Sequence, residues 1–108
     1  MINVTIYKNE KHICMGFNAI GHAGSADEGQ DIVCAAASVL MVNTINAIEA
    51  FASDDSSLVS DDKEGLVDFT LSKPPTHDAE LLLKTMILGL EEIANDYKDY
   101  INIDFREV

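Results

Sequence analysis

Hydrophobic and polar positions alternate, then recur at helical spacing, then alternate again, and the sequence runs through this rhythm twice. Ile2, Val4 and Ile6 alternate with Asn3, Thr5 and Tyr7, the period-two pattern of a half-buried strand. The turn Lys8-Asn9-Glu10-Lys11 leads to a second run, Ile13 to Gly21, with Ile13, Met15, Phe17 and Ala19 on one face. The two runs predict an antiparallel hairpin. Residues 23–30, AGSADEGQ, carry two glycines and two acids and predict a loop able to move.

Asp31 fits an N-cap, and a helix is expected from Ile32 to about Ala52. Val33, Ala36, Leu40, Asn43, Ala47 and Ala50 recur there at threes and fours, and Ala35, Ala36 and Ala37 thin the helix for close packing on a sheet. The segment is apolar nearly all round until Asn43, which predicts cover on both faces, by the sheet and by a second helix or subunit. Leu58-Val59 and Leu66 to Leu71 flank Asp61-Asp62-Lys63-Glu64-Gly65, a second hairpin with Val67, Phe69 and Leu71 inward. Pro74-Pro75 stops that strand. Thr76 can cap a second helix, whose first-turn acids Asp78 and Glu80 suit its dipole. Leu82/Leu83, Met86, Leu90, Ile93 and Tyr97 form its apolar stripe. Ile101, Ile103 and Phe105 then alternate with Asn102, Asp104 and Arg106 in a terminal strand. The order ββαββαβ predicts an α+β fold: a two-layer sandwich, with a mostly antiparallel sheet of about five strands and two helices on one face. Residues 1–108 read as a single domain.

Composition narrows the class. No apolar stretch is read as having the length and freedom from charge of a membrane span, and Met1-Ile2-Asn3-Val4 does not open like a signal peptide. Two cysteines are too few for a disulfide scaffold, so a reducing cytoplasm is expected. Seven Lys and Arg against nineteen Asp and Glu give a net charge of −12. Nucleic-acid binding depends on cations that neutralise phosphates, so direct binding to DNA or RNA is not expected. An acidic surface favours encounter with basic partners.

Chemistry concentrates between His22 and Cys34. A thiol is a nucleophile only as thiolate and ordinarily titrates near pH ~8.5, so it needs help at neutral pH. With Asp31 as N-cap, Cys34 falls in the first helical turn, where unpaired N–H groups favour negative charge. His22, at the end of a strand and flanked by Gly21, Ala23 and Gly24, can approach the sulfur and return a proton to a leaving amine. The N–H groups of Cys34 and Ala35 are candidate oxyanion donors. Ser38 lies one turn beyond Cys34, and Asp31 is the acid placed to orient His22, whereas Asp27 and Glu28 are expected in solvent. Against this stands the common fate of a lone helical cysteine, a small buried hydrophobe. On the residues alone, both readings of Cys34 remain open. Cys14 in mid-strand is structural, and His12 and His77 are expected on the surface. One Cys and one His fall short of a zinc pattern, and neither metal nor cofactor is expected.

Gly21-His22-Ala23, the eleven-residue gap, and Asp31-Ile32-Val33-Cys34-Ala35-Ala36-Ala37-Ser38 together resemble the ribosomal-processing cysteine protease family of bacteria (Prp). The likeness in length and element order runs across essentially the whole chain. It implies Cys34 as nucleophile and His22 as general base and acid, with Gly21, Asp31 and Ser38 at further motif positions. It implies that the loop carrying Gly24, Asp27, Glu28 and Gly29 closes over the bound peptide, near a hydrophobic groove. The implied substrate is a ribosomal protein precursor, the large-subunit protein number twenty-seven, which loses a short, largely apolar and aromatic N-terminal extension. Members are homodimers. The competing expectation is a non-catalytic acidic module that docks on a basic ribosomal protein or assembly factor.

Overall fold

Ile2, Val4 and Ile6 are buried in β1 (Ile2–Lys8), where Asn3 and Thr5 occupy the other face, as their alternation predicts. The computed structural model describes residues 1–21 and 28–108, with side chains from Ile32 onward in the second stretch. The remaining elements are β2 (Cys14–Ile20), α1 (Glu28–Phe51), β3 (Ser56–Asp61), β4 (Leu66–Leu71), α2 (His77–Asp96) and β5 (Ile101–Glu107). The sheet order is β3-β4-β2-β1-β5. β1 and β5 are parallel, and the other pairs are antiparallel. Inward residues of the sheet and of both helices form one core, the two-layer α+β arrangement that the pattern predicts.

In β2 the predicted face is wrong at its start. Tyr7 pairs with Gly16 but Lys8 with Cys14, so Met15 is an extra residue at a β-bulge. One inserted residue inverts the inside–outside phase, which buries Cys14 with Phe17 and Ala19 and leaves Ile13 and Met15 only half-buried. The Cys14 thiol donates to the Gly16 carbonyl at 3.4 Å. On the outer face the Tyr7 ring lies opposite Gly16, and its hydroxyl donates to Asp68 at 3.0 Å. The Asn18 amide donates to the same carboxylate oxygen, and the Arg106 guanidinium stacks over the ring.

α1 also departs from its predicted phase. The buried stripe is Val33, Ala37, Met41, Thr44/Ile45 and Ile48, whereas Ala36, Asn43 and Ala50 are exposed. A helix apolar nearly all round gives periodicity little to select between, and a buried Thr44 is tolerated because its hydroxyl donates to the Leu40 carbonyl at 2.7 Å. Contrary to the sequence expectation, Ile32–Phe51 does reach the length and mean hydropathy, 1.6, of a membrane span. Here its buried stripe packs on the sheet instead. Sheet and α2 cover one side and one flank, while Ile32, Val39 and Val42 stay exposed.

Pro74-Pro75 and Thr76 set the start of α2. The Thr76 side chain accepts from the Ala79 N–H, and Asp54 accepts from both the Thr76 N–H and its hydroxyl. Ala79, Leu83, Met86, Ile87 and Leu90 are buried, and Gly89 allows close approach to Leu40 of α1. Tyr97, predicted in the stripe, is instead the C-cap and lies outside the buried core. Phe105, predicted inward, is half-exposed at the sheet edge, with the Lys8 ammonium 4.7 Å from its ring centroid.

Candidate active site

Two elements deliver the motif. β2 ends at Ile20, and Gly21 follows with φ +139°, a conformation that L side chains rarely adopt. Its N–H donates to the Gly65 carbonyl at 3.3 Å, and a Cβ at this position would collide with the Met1 carbonyl and press on Ile2 Cα. The glycine before His22 is therefore demanded by backbone crowding at the end of the strand. His22, Gly24 and Asp27 lie outside the described residues.

α1 begins at Glu28, not after an Asp31 cap. Glu28 and Gly29, expected in the loop, form its first turn together with Asp31. An acid in the first turn is favoured by the helix dipole, and extending an already anchored helix by one turn costs far less than nucleating one. This changes the setting of Cys34, which becomes the seventh residue of the helix. Within the helix the N–H groups without an intrahelical acceptor are those of residues 28–30, so Cys34 and Ala35 are not the free oxyanion donors expected from an Asp31 cap. The dipole effect also fades beyond the first turn. The first-turn amides of α1 are the ones left available to an anion.

The thiols separate cleanly. Cys34 is free and partly exposed at the margin of the core, between Val33, which is fully buried, and Ala35, which is exposed. Ser38, one turn on, is exposed. Cys14 is free but buried, and burial pushes its thiol pKa up, against smaller lowering by a backbone hydrogen bond at Gly16 and by the Lys8 charge. A buried, hard-to-ionise thiol fits its structural reading. His12 and His77 are both exposed, and His77 lies 3.2 Å from Asp78. Among the described residues no cluster of His, Cys, Asp and Glu could hold a metal ion.

An apolar groove of about 560 Å³ opens between the helices just beside Cys34 in sequence, lined by Ala35, Ala36, Val39 and Leu40 of α1 and by Gly89 and Ile93 of α2. Glu92 and Asp96 stand on its rim. This groove lies on the α2 flank of α1 and its lining does not include Cys34, so it is distinct from the hydrophobic peptide groove expected near the loop between His22 and Cys34.

Comparison with known proteins places this arrangement. The family model for the cysteine protease Prp matches residues 1–102. The ribosomal processing cysteine protease Prp of Bacillus subtilis (strain 168) is 32% identical over 107 residues, covering 95% of this chain and 96% of its own length. The protein of the same name from Staphylococcus aureus (strain Mu50 / ATCC 700699) is 30% identical, over 98% of this chain and 100% of its own. The crystal structure of the essential S. aureus protease with a substrate peptide has a TM-score of 0.92 at 29% identity, covering 98% of this chain and 100% of that one. The same protease with a covalently linked product peptide gives 0.88 at 30% identity, with the same coverage. A thiol at the margin of the core, the shaped glycine at the end of β2 and a full-length match agree: the chain belongs to the Prp family of cysteine proteases.

Proposed function

We propose that this chain, as one protease domain, removes the short N-terminal extension of the large-subunit ribosomal protein number twenty-seven in the cytoplasm. The observation that carries this reading is the match, over nearly the whole chain, to ribosomal processing proteases, one of them solved with a substrate peptide; the resemblance of the His22-to-Cys34 stretch supports it. In the proposed reaction His22 takes the Cys34 thiol proton and the sulfur bonds to the scissile carbonyl carbon, whose C=O π pair moves onto the oxygen. The C–N bond then breaks as His22 passes its proton to the departing amine. Water, deprotonated by His22, attacks the thioester and releases the carboxylate, and the thiol is restored. Asp31 and Ser38 are positioning residues in this scheme, and Gly24 and Asp27 belong to the segment that covers the peptide, with Glu28 and Gly29 at its end in the first turn of α1. The charge of −12 supports a basic protein substrate. The open apolar face of α1, with Ile32, Val39 and Val42, supports a homodimer.

The test uses the extended ribosomal precursor and mass spectrometry. The unsubstituted protein and Cys14→Ala release the extension, Cys34→Ala does not, and His22→Ala is slowed by on the order of 10²–10⁴. Cleavage persisting in Cys34→Ala removes the nucleophile assignment. His22→Ala also slows alkylation of Cys34 by iodoacetamide at neutral pH, an effect that accessibility alone does not produce.

A further inference from the structure

The site described so far uses the end of β2 and the start of α1, and leaves one edge of the sheet unused. β3 pairs with β4 from Ser56↔Leu71 to Asp61↔Leu66 and, among the described residues, carries no strand on its other side. All six of its residues are exposed. Leu58, opposite Phe69, is on the helix-side face, and Val59, opposite Asp68, is on the outer face; they are 48% and 57% exposed. Proteins usually blunt such an edge with lysine, proline or a bulge. The sequence Ser56-Ser57-Leu58-Val59-Ser60-Asp61 has neither residue, and its register with β4 is unbroken. An edge of this kind is a template for another extended chain.

The edge also lies on the side of the thiol. α2 packs against α1 through Gly89 and Leu40, and against β5. The opposite flank of α1 therefore overlooks β4 and β3. At about 100° per residue, Cys34 sits roughly 120° around the helix from Leu40, on that far flank, with Ser38 one turn along.

Charge decides the occupant. Asp54 and Asp55 precede β3, Asp61, Asp62 and Glu64 close it, and Asp68 lies on the neighbouring strand. Two copies paired antiparallel through Leu58 and Val59 would set Asp55 against Asp62 at both ends of the ladder, with Lys63 opposite Asp54 as the one cation there, and like-charge pairs destabilise a sheet. A peptide carrying Lys or Arg meets the opposite charge instead. We infer that β3 takes an extended basic segment of the peptide substrate as an added strand, next to the bond offered to Cys34. This rests on the protease reading above.

Amide hydrogen exchange on Cys34→Ala, where no turnover occurs, tests it with a synthetic peptide spanning the extension and the first mature residues of the ribosomal protein. Bound peptide slows exchange at residues 57–60 by about tenfold, and Leu58→Lys weakens binding by about tenfold while the unfolding midpoint holds. No binding, binding that leaves β3 exchange unchanged, or β3 protection that grows with protein concentration alone would each overturn the inference, the last by showing self-pairing. Failure of the protease reading shows separately, as absence of cleavage by the unsubstituted protein.

Discussion

Gly21→Ala tests whether the motif glycine serves the backbone or the chemistry. At φ +139° an alanine carries a strain of about 1–3 kcal/mol. Its Cβ would also run into the Met1 carbonyl and Ile2 Cα, which are backbone atoms that cannot swing aside as the end of a side chain can. Relief therefore means moving the start of β1, where Ile2 donates to the Tyr100 carbonyl at 2.9 Å and pairs with Ile101 of β5. Adding the loosening of that parallel ladder to the strain gives a loss of about 3 kcal/mol. At about 4–8 °C per kcal/mol for a domain near this size, the midpoint should fall by roughly 12 °C or more. Thermal unfolding followed by circular dichroism reads this directly, and activity measured at low temperature, where the variant is still folded, separates stability from catalysis. A midpoint within about 3 °C of the unsubstituted protein would refute the crowding argument.

Gly89→Ala should behave in the opposite way: its Cβ meets only the Leu40 Cδ1 at 2.9 Å, a flexible end, and alanine recovers up to about 1 kcal/mol of helix propensity. Stability should stay within about 1 kcal/mol, and a loss above about 2 kcal/mol would show that Leu40 has nowhere to go. Thr76→Ala removes the cap of α2 and its hydroxyl bond to Asp54, so urea unfolding should report a loss of about 1–2 kcal/mol, and no change would contradict the capping geometry. Burial raises the Cys14 pKa, so the folded state favours its protonated form; the resulting stability is present below the ordinary thiol pKa of 9.0 and is lost as pH rises through the raised value. Denaturant titrations above pH 9 should show a decline that is shallower in Cys14→Ala, while Tyr7, raised by burial and Asp68, continues to contribute; equal slopes would refute this. In the native protein at neutral pH, iodoacetamide should modify Cys34 well before Cys14, and comparable rates would contradict the burial difference.

What the sequence made legible, and what it hid, follows from how each residue signals its surroundings. Period-two alternation in β1 and β4 and the Pro-Pro-Thr start of α2 have one physical reading each, and the structure shows it. The phase of β2 was hidden because a bulge at Met15 leaves no compositional mark: Ile13 and Met15 are as apolar as the residues that replace them in the core. The phase of α1 was hidden for the converse reason, since a stripe stands out only against polar positions, and this helix has few before Asn43. Its start was misplaced because Gly29 and the acids around it read as helix breakers, although an acid at that end suits the dipole. That single error carried consequences for the site. An Asp31 cap puts Cys34 among free amides, whereas the helix from Glu28 puts those amides more than one turn upstream. In the proposed reaction the charge that develops on the peptide therefore takes its donors from elsewhere, or the peptide carbonyl reaches the tip of the helix. Membership of the Prp family thus does not fix which atoms of this chain stabilise the intermediate of the proposed reaction. Replacing the Cys34 or Ala35 side chain cannot answer that, because a main-chain donor survives it; an amide-to-ester substitution within residues 28–30 can, and it should lower kcat more than it raises KM if those first-turn amides are the ones that act.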